Sequence, residues 1–122
     1  MNPVKVNDAL NDAMAIEGAI GVALVDFDSG MTLGTKGGSG MNLDVAAAGN
    51  TEVVRSKMKV MDHLGLDDRI EDMLITLGGQ YHLIRLLQGT DSLFMYVALK
   101  KDKANLGMAR FQLSVIDKKL AS

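Results

Sequence analysis

Alternating apolar residues identify the first strand of this chain. Ile20, Val22 and Leu24 alternate with Gly21 and Ala23, and the side chains of a strand point to opposite faces with a period of two. One face would therefore carry bulky apolar side chains, and the other would carry small ones. Because neither face is polar, both must be covered, which is typical of a central strand in a sheet with helices on both sides.

Similar patterns predict eight elements along the chain. A first helix follows Pro3, with Asn7 as its cap, and ends near Gly18. The other elements are strands at 19–27 and 31–35, a loop at 36–40, a long helix at 43–64 that stops at Gly65, strands at 70–77, 81–87 and 93–99, and a last helix at 103–120 capped by Asp102. The order is α-β-β-α-β-β-β-α.

Tight turns between neighbouring strands predict an antiparallel sheet. The strand at 93–99 is apolar on both faces, like the first strand, so both are expected at the centre of the sheet. Three helices can cover the two faces. The sequence therefore predicts an α+β fold, in which a five-stranded antiparallel sheet has helices on both faces. We expect one domain over residues 1–122.

The long helix carries two apolar stripes. One stripe consists of Ala47, Val54, Met58 and Met61. The second consists of Ala46, Val53, Val60 and Leu64, and between the stripes lie Asn50 and Lys57. The combined arc of about 160° exceeds the roughly 100° that packing on one surface requires. This width predicts that the second stripe meets another surface. The alternative is a wider buried face, with Lys57 reaching water at its edge.

The segment from Met73 to Leu77 contains no charged residue and no proline. At a sheet edge its unpaired backbone would invite another strand; the alternative places it inside the sheet. A homodimer joined through this strand and the long helix would satisfy both surfaces. We expect its interface to contain Asn50, Val53, Lys57, Val60, Met73, Leu74, Ile75, Thr76 and Leu77.

Composition and motifs argue against several classes of function. The net charge of −2 disfavours nucleic acid as a partner. There is no cysteine, hence no disulfide and no thiol nucleophile. His63 and His82 have no third ligand at a metal-binding spacing. The glycine-rich segment 34–40 lacks the Gly-Lys-Ser/Thr end of a phosphate loop. We therefore expect no cofactor, no metal and no catalytic activity of its own.

The sequence also bears on where the protein acts. No apolar run is long enough to span a bilayer, and the N-terminal residues show no signal-peptide pattern. We therefore expect a cytoplasmic protein that associates with membranes only through its partners.

Four local patterns resemble the roadblock / dynein light chain family. They are residues 18–22 leading to 26–30, residues 46–48 opening the long helix, residues 82–85 followed by 93–97, and residues 104–110 opening the last helix. The last pattern, Ala-Asn-Leu-Gly-Met-Ala-Arg, is the most specific. The resemblance covers essentially the whole chain and is closest to stand-alone bacterial members, including actinobacterial ones. It implies the profilin-like roadblock fold.

The resemblance implies a homodimer whose third strands pair across a two-fold axis, with the long helices side by side. It also implies a Ras-like small GTPase as the partner, since members of the family act as GTPase regulators, adaptors or membrane-platform subunits. We assign the partner contacts to the exposed side of the long helix, at Glu52, Arg55 and Lys59. The alternative is a structural dimerisation adaptor in a signalling complex, without effect on GTP hydrolysis.

The sequence ends soon after the last predicted helix, so we expect no C-terminal extension of the kind some bacterial regulators use.

Overall fold

The computed structural model describes residues 2–122, which form three helices and five strands. The elements are α1 (Pro3–Met14), β1 (Ala19–Asp26), β2 (Thr32–Gly37), α2 (Leu43–His63), β3 (Asp72–Thr76), β4 (Gln80–Leu86), β5 (Leu93–Lys100) and α3 (Leu106–Ala121). The predicted order of elements is confirmed.

The five strands form one antiparallel sheet in the order β2-β1-β5-β4-β3. The two strands that are apolar on both faces, β1 and β5, lie beside each other in the interior, as predicted. β3 lies at the edge of the described sheet with β4 as its neighbour, so the alternative that placed it inside the sheet is wrong. The opposite edge is β2.

Two hydrophobic cores lie on opposite faces of the sheet. α1 and α3 cover one face with Val6, Ala9, Leu10, Ala13, Ala109, Leu113, Ile116 and Leu120. α2 covers the other face with Leu43, Ala47 and Val54. Adjacent residues of β5 supply alternate cores, with Val97 and Leu99 in the first and Tyr96 and Ala98 in the second. The prediction of helices on both faces is confirmed.

The small residues of β1 allow the start of α2 to approach the sheet closely. A Cβ atom added to Gly21 would lie 3.0 Å from the Leu43 side chain, which is too close for an ordinary contact. The same Cβ atom would lie 3.0 Å from the backbone of Gly38, in the loop that leads into α2, so a larger residue at position 21 would displace that loop. Ala23 lies in the core beneath α2.

Ile20 departs from the predicted alternation. Val22 and Leu24 are buried under α1 and α3, as a period of two requires, but Ile20 packs against the core under α2. The pairing of β1 with β5 shifts register between Ala19 and Gly21. Such a β-bulge adds one residue to a strand and redirects the side chains around it.

The residue that caps the N-terminus of α1 lies five residues before the predicted one. Asn7 is inside the helix, and the cap is Asn2, whose side chain accepts a hydrogen bond from the Val4 N–H at 2.8 Å. Pro3 occupies the first helical position, where its fixed φ and missing N–H favour helix initiation. The prediction of Asn7 as the cap is therefore wrong.

The start of α3 also differs from the prediction. Asp102 does not cap the helix, because the chain first makes a tight turn in which the N–H of Ala104 donates to the Lys100 carbonyl at 3.0 Å. Asn105 is the cap and accepts from the Met108 N–H at 3.0 Å. β2 continues to Gly37, inside the predicted loop, because Gly37 pairs with a residue of β1. β3 is shorter than predicted and spans Asp72–Thr76.

A buried carboxylate connects α3 to the end of β4. Asp117 is 4% exposed, and its two oxygens accept from the Gln88 N–H at 3.0 and 3.1 Å. Arg85 donates to the same carboxylate through Nε at 3.2 Å and lies 3.1 Å from it through Nη2. These bonds hold the turn between β4 and β5 against the last helix.

We predict that Asp117→Ala lowers the free energy of unfolding by about 3–5 kcal/mol, because it leaves the Arg85 guanidinium and the Gln88 N–H without their acceptor in a buried site. Urea denaturation at a fixed protein concentration measures the loss. The matched control is Arg110→Met, at the more exposed pair with Asp72, where about 1 kcal/mol or less is expected. Equal losses at the two sites would contradict the assigned role of Asp117.

Candidate protein–protein interface

One flank of α2, continued by the C-cap residue Leu64, lies beside the core and remains partly open. At its start, Ala46 packs against the core under α2. The members of this flank are spaced alternately by four and three residues and are Ala46, Asn50, Val53, Lys57, Val60 and Leu64. This spacing is that of a coiled-coil seam, and we call these six residues the α2 seam. Val60 is 46% exposed and Leu64 is 65% exposed. The other predicted stripe is packed on the sheet, where Ala47, Val54 and Met61 are buried.

The sheet beside the α2 seam has an incompletely covered floor. α2 lies over β1 and β2, whereas Met73 and Ile75 of β3 and His82 of β4 are half-buried on the same face. Tyr96 of β5 connects the floor to the helix, because its hydroxyl contacts His82 of the floor and the Asn50 side chain of α2. The α2 seam and this floor form one surface, which we call the open face.

The edge of β3 offers backbone groups to a further strand. β3 pairs with β4 through five consecutive residues without a bulge. The Leu77 N–H donates to the Gln80 carbonyl at 2.8 Å, and the Glu71 carbonyl accepts from the Leu86 N–H at 3.0 Å. Because alternate residues of an antiparallel strand bond to opposite sides, the backbone groups of Asp72, Leu74 and Thr76 point to the free edge.

The predicted interface residues occupy four different places. Asn50, Val53, Lys57 and Val60 lie in the α2 seam, and Met73 and Ile75 lie in the floor of the open face. Leu74 packs against the core under α1 and α3, so it contributes backbone groups at the edge but no side chain to the open face. Thr76 and Leu77 are exposed at the end of β3.

The open face contains a polar cluster that was not predicted from the sequence. The His82 ring lies edge-on to the Tyr96 ring, with centroids 5.4 Å apart and planes at 86°. His82 Nδ1 is 3.3 Å from the Tyr96 hydroxyl, and His82 Nε2 is 2.8 Å from Gln80 Oε1. The period of two along β4 places Gln80 and His82 on one face, which is the signal that could have revealed them.

Burial changes the proton affinity of both rings in this cluster. Desolvation lowers the pKa of His82 below its usual value, because burial disfavours the charged imidazolium. Burial raises the pKa of Tyr96, and a polar contact from Asn50 partly offsets that rise. Both side chains are therefore favoured in their neutral forms at pH 7.

Arg55, predicted to contact a partner, is bonded to its own chain. Its Nε donates to the Phe27 carbonyl and its Nη2 donates to the Asp28 carbonyl, both at 2.7 Å. Its Nη1 lies 3.4 Å from Glu52 Oε1, in an exposed ion pair. Arg55 therefore fastens the turn between β1 and β2 to the middle of α2.

The same turn is organised by Asp26. Its carboxylate accepts from the Asp28 N–H at 2.9 Å and from the Ser29 N–H at 3.4 Å. The bond from the Asp28 N–H is the main reason that the pKa of Asp26 lies below its usual value. Gly30 follows with a φ of +80°, a conformation that glycine adopts without strain. The turn therefore has a defined shape before any partner binds.

The three predicted partner contacts lie on one side of α2. Glu52, Arg55 and Lys59 are exposed, and at 100° per residue their mean direction is about 150° from that of the α2 seam. The predicted partner contacts and the predicted dimer residues of α2 thus lie on nearly opposite sides of the helix, so a contact at one set would leave the other accessible.

Sites of other kinds are not found in the described chain. Within residues 2–122, the His, Asp and Glu side chains nowhere form a group of three able to hold a metal ion. None of the helices over the same residues combines the length and apolar character needed to cross a membrane.

Comparison with known proteins gives matches at the level of structure. No protein-family model matches the sequence, and a search of curated protein sequences gives no match either. Myxococcus xanthus MglB is similar with a TM-score of 0.82 and 15% identity, over 98% of this chain and 87% of that chain. The gliding protein MglB from Thermus thermophilus is similar with a TM-score of 0.81 and 16% identity, over 99% of this chain and 90% of that chain.

A Roadblock/LC7 domain from Streptomyces avermitilis is also similar, with a TM-score of 0.76 and 10% identity, over 90% of this chain and 88% of that chain. The chain therefore has the roadblock/LC7 fold. The resemblance read from local sequence patterns is confirmed at the level of the fold.

We predict that Arg55→Met lowers the free energy of unfolding by about 1–2 kcal/mol, because it removes two charge-assisted hydrogen bonds to the β1–β2 turn at a partly exposed site. Lys59→Met, on the same side of α2, is the matched control and should change stability by about 0.5 kcal/mol or less. Urea denaturation of both variants measures the difference. Similar values for the two variants would mean that Arg55 does not stabilise the turn.

Proposed function

We propose that this protein forms a homodimer through the open face and the β3 edge, and that the dimer binds a Ras-like small GTPase. The observation that supports the dimer is that two self-complementary features occur side by side. One is a regular strand with a free edge, and the other is a helix seam with coiled-coil spacing. The GTPase partner is supported by the resemblance to the roadblock family together with the fold.

The β3 edge suits pairing with the same edge of a second copy. Asp72, Leu74 and Thr76 are the residues whose backbone groups point outward. In an antiparallel register, Leu74 would lie opposite Leu74 of the second copy. Asp72 of each copy would then lie opposite Thr76 of the other. The outward-pointing backbone groups of all three residues would form hydrogen bonds across the interface. Closed two-fold contacts of this kind are the commonest form of protein oligomer.

The α2 seam adds apolar area to the same contact. Val53, Val60 and Leu64 would lose their exposure against the second copy, and each apolar side chain removed from water contributes favourably to association. Asn50 and Lys57 are polar positions in this seam. A polar residue in an apolar helix contact fixes the register of the helices at a cost in stability.

The GTPase would bind on the other side of α2. Glu52, Arg55 and Lys59 remain accessible in the proposed dimer, because they point away from the α2 seam. The adjacent β1–β2 turn presents polar backbone groups in a fixed shape. Charges at the border of such a contact act mainly on the rate of association.

We predict that Thr76→Pro weakens the dimer by at least about tenfold in Kd, because it removes an N–H that points to the free edge. Thr76→Val retains that N–H and is the matched control, with a Kd near the wild-type value. Ile75→Pro differs from both, since the Ile75 N–H faces β4, and it should destabilise the fold itself. Sedimentation velocity over a concentration series measures all four proteins.

The dimer proposal has two outcomes that contradict it. The first is a wild-type protein that remains monomeric at micromolar concentrations. The second is a dimer whose Kd is equal for Thr76→Pro and Thr76→Val, which would place the interface away from the β3 edge.

The GTPase proposal predicts binding to a Ras-like GTPase encoded in the same genome, measured by biolayer interferometry in the GDP and GTP states. Lys59→Glu should reduce the association rate by about three- to tenfold at low salt, with a smaller effect at high salt. Lys118→Glu on α3 is the matched control and should leave the rate unchanged.

Phosphate release from the GTPase, measured with and without the dimer, separates a regulator from a protein that only tethers. Absence of binding to every such GTPase in both nucleotide states would overturn the GTPase proposal and favour the structural adaptor.

A further inference from the structure

We propose that His82 makes the association of the two copies dependent on pH, so that the dimer forms with a neutral imidazole and dissociates as His82 is protonated. The inference rests on the homodimer proposed above and names a regulator of that contact, the proton. His82 lies in the floor of the open face, next to the strand whose edge would pair, so a second copy would cover it.

The hydrogen bonds around His82 fit a neutral ring with its hydrogen on Nε2. Nε2 lies 2.8 Å from Gln80 Oε1, which can only accept, so Nε2 carries a hydrogen and donates it. In a neutral imidazole the other nitrogen is then an acceptor. Nδ1 lies 3.3 Å from the Tyr96 hydroxyl, and that hydroxyl donates to it.

Protonation reverses the second of these bonds. A proton on Nδ1 would face the hydrogen of the Tyr96 hydroxyl, so the hydroxyl must rotate and accept instead. The other groups beside this hydroxyl are the Asn50 side chain and Met41 Sδ at 3.9 Å, and a thioether is a weak acceptor. Tyr96 is 1% exposed, so water is a poor substitute. Protonation therefore keeps the contact between the two rings but reverses its direction, and the Tyr96 hydroxyl must find a new acceptor inside the open face.

The charged groups around His82 do not compensate for protonation. On β5, Tyr96 is neutral, and Lys100 lies on the same face opposite Gln80. On β3, the residues on this face are the uncharged Met73 and Ile75, and Ile75 pairs with His82. The carboxylate residue Glu71 precedes the strand and lies about 13 Å along the chain from Ile75.

The α2 seam and the loop before α2 complete the surroundings of His82. The seam presents Asn50 and Lys57, and the loop presents Met41. Lys57 and Lys100 are positive, so neither supplies a counter-charge for a protonated ring.

The direction of the pH dependence follows from burial. In one copy the pKa of His82 already lies below its usual value because the ring is partly desolvated. Cover by a second copy removes more water and lowers the pKa further. The separated copies therefore bind protons more readily than the dimer, so the dimer is favoured at high pH and weakens as the pH falls through the pKa of His82 in the separated copies.

The experiment is sedimentation velocity of the full chain at pH 7.5 and 5.5 over a concentration series. The dimer contains two copies of His82, and for each copy every unit of pKa difference between monomer and dimer multiplies the dissociation constant by up to ten. We therefore expect Kd to rise by about ten- to a hundredfold at pH 5.5. His82→Gln removes the titrating group and should abolish most of this change. His63→Gln removes the exposed second histidine at the end of α2 and should leave the change intact.

An NMR titration of the His82 ring protons gives a second readout, with a lower pKa expected in the concentrated dimer than in the dilute monomer. Two results overturn the inference while leaving the homodimer intact: a wild-type Kd that is equal at the two pH values, or a His82→Gln variant with the full wild-type pH dependence. A wild-type chain that is monomeric at pH 7.5 overturns the homodimer and this inference with it.

Discussion

The structure depends on the need to bury both faces of the two central strands. β1 and β5 present apolar side chains to either side, and a strand of this kind is stable only when helices cover both faces. α1 and α3 share one face, whereas α2 covers the other alone. The position of every other surface in the molecule follows from this unequal division.

A single helix cannot cover a face five strands wide. α2 lies over β1 and β2, which leaves Met73, Ile75 and His82 half-buried beside its own apolar flank. The apolar character of that flank is explained if a second surface covers it, since exposed valine and leucine side chains contribute nothing to the stability of one isolated copy. Incomplete burial thus connects the fold to the proposed dimer. It also explains why a titratable ring lies half-buried on the face proposed for the dimer contact.

α2 serves different purposes on its different sides. One stripe packs on the sheet, the α2 seam forms part of the open face, and the third side carries Glu52, Arg55 and Lys59. Arg55 illustrates the limit of assigning roles from exposure alone, because much of its hydrogen-bonding capacity is directed at two carbonyls of the β1–β2 turn. A surface charge can therefore stabilise the fold and also border the proposed partner site.

The sequence by itself determined the order of elements, the central position of β1 and β5, and the two stripes of α2, because these depend on local periodicity and burial on both faces. It misplaced the caps of α1 and α3, because Asn and Asp at several nearby positions are equally able to cap a helix. Only the tertiary structure decided that β3 is an edge, that Leu74 faces the opposite core, and that His82 meets Tyr96. Each of these depends on which strands become neighbours, a relation between residues distant in sequence that no local pattern encodes.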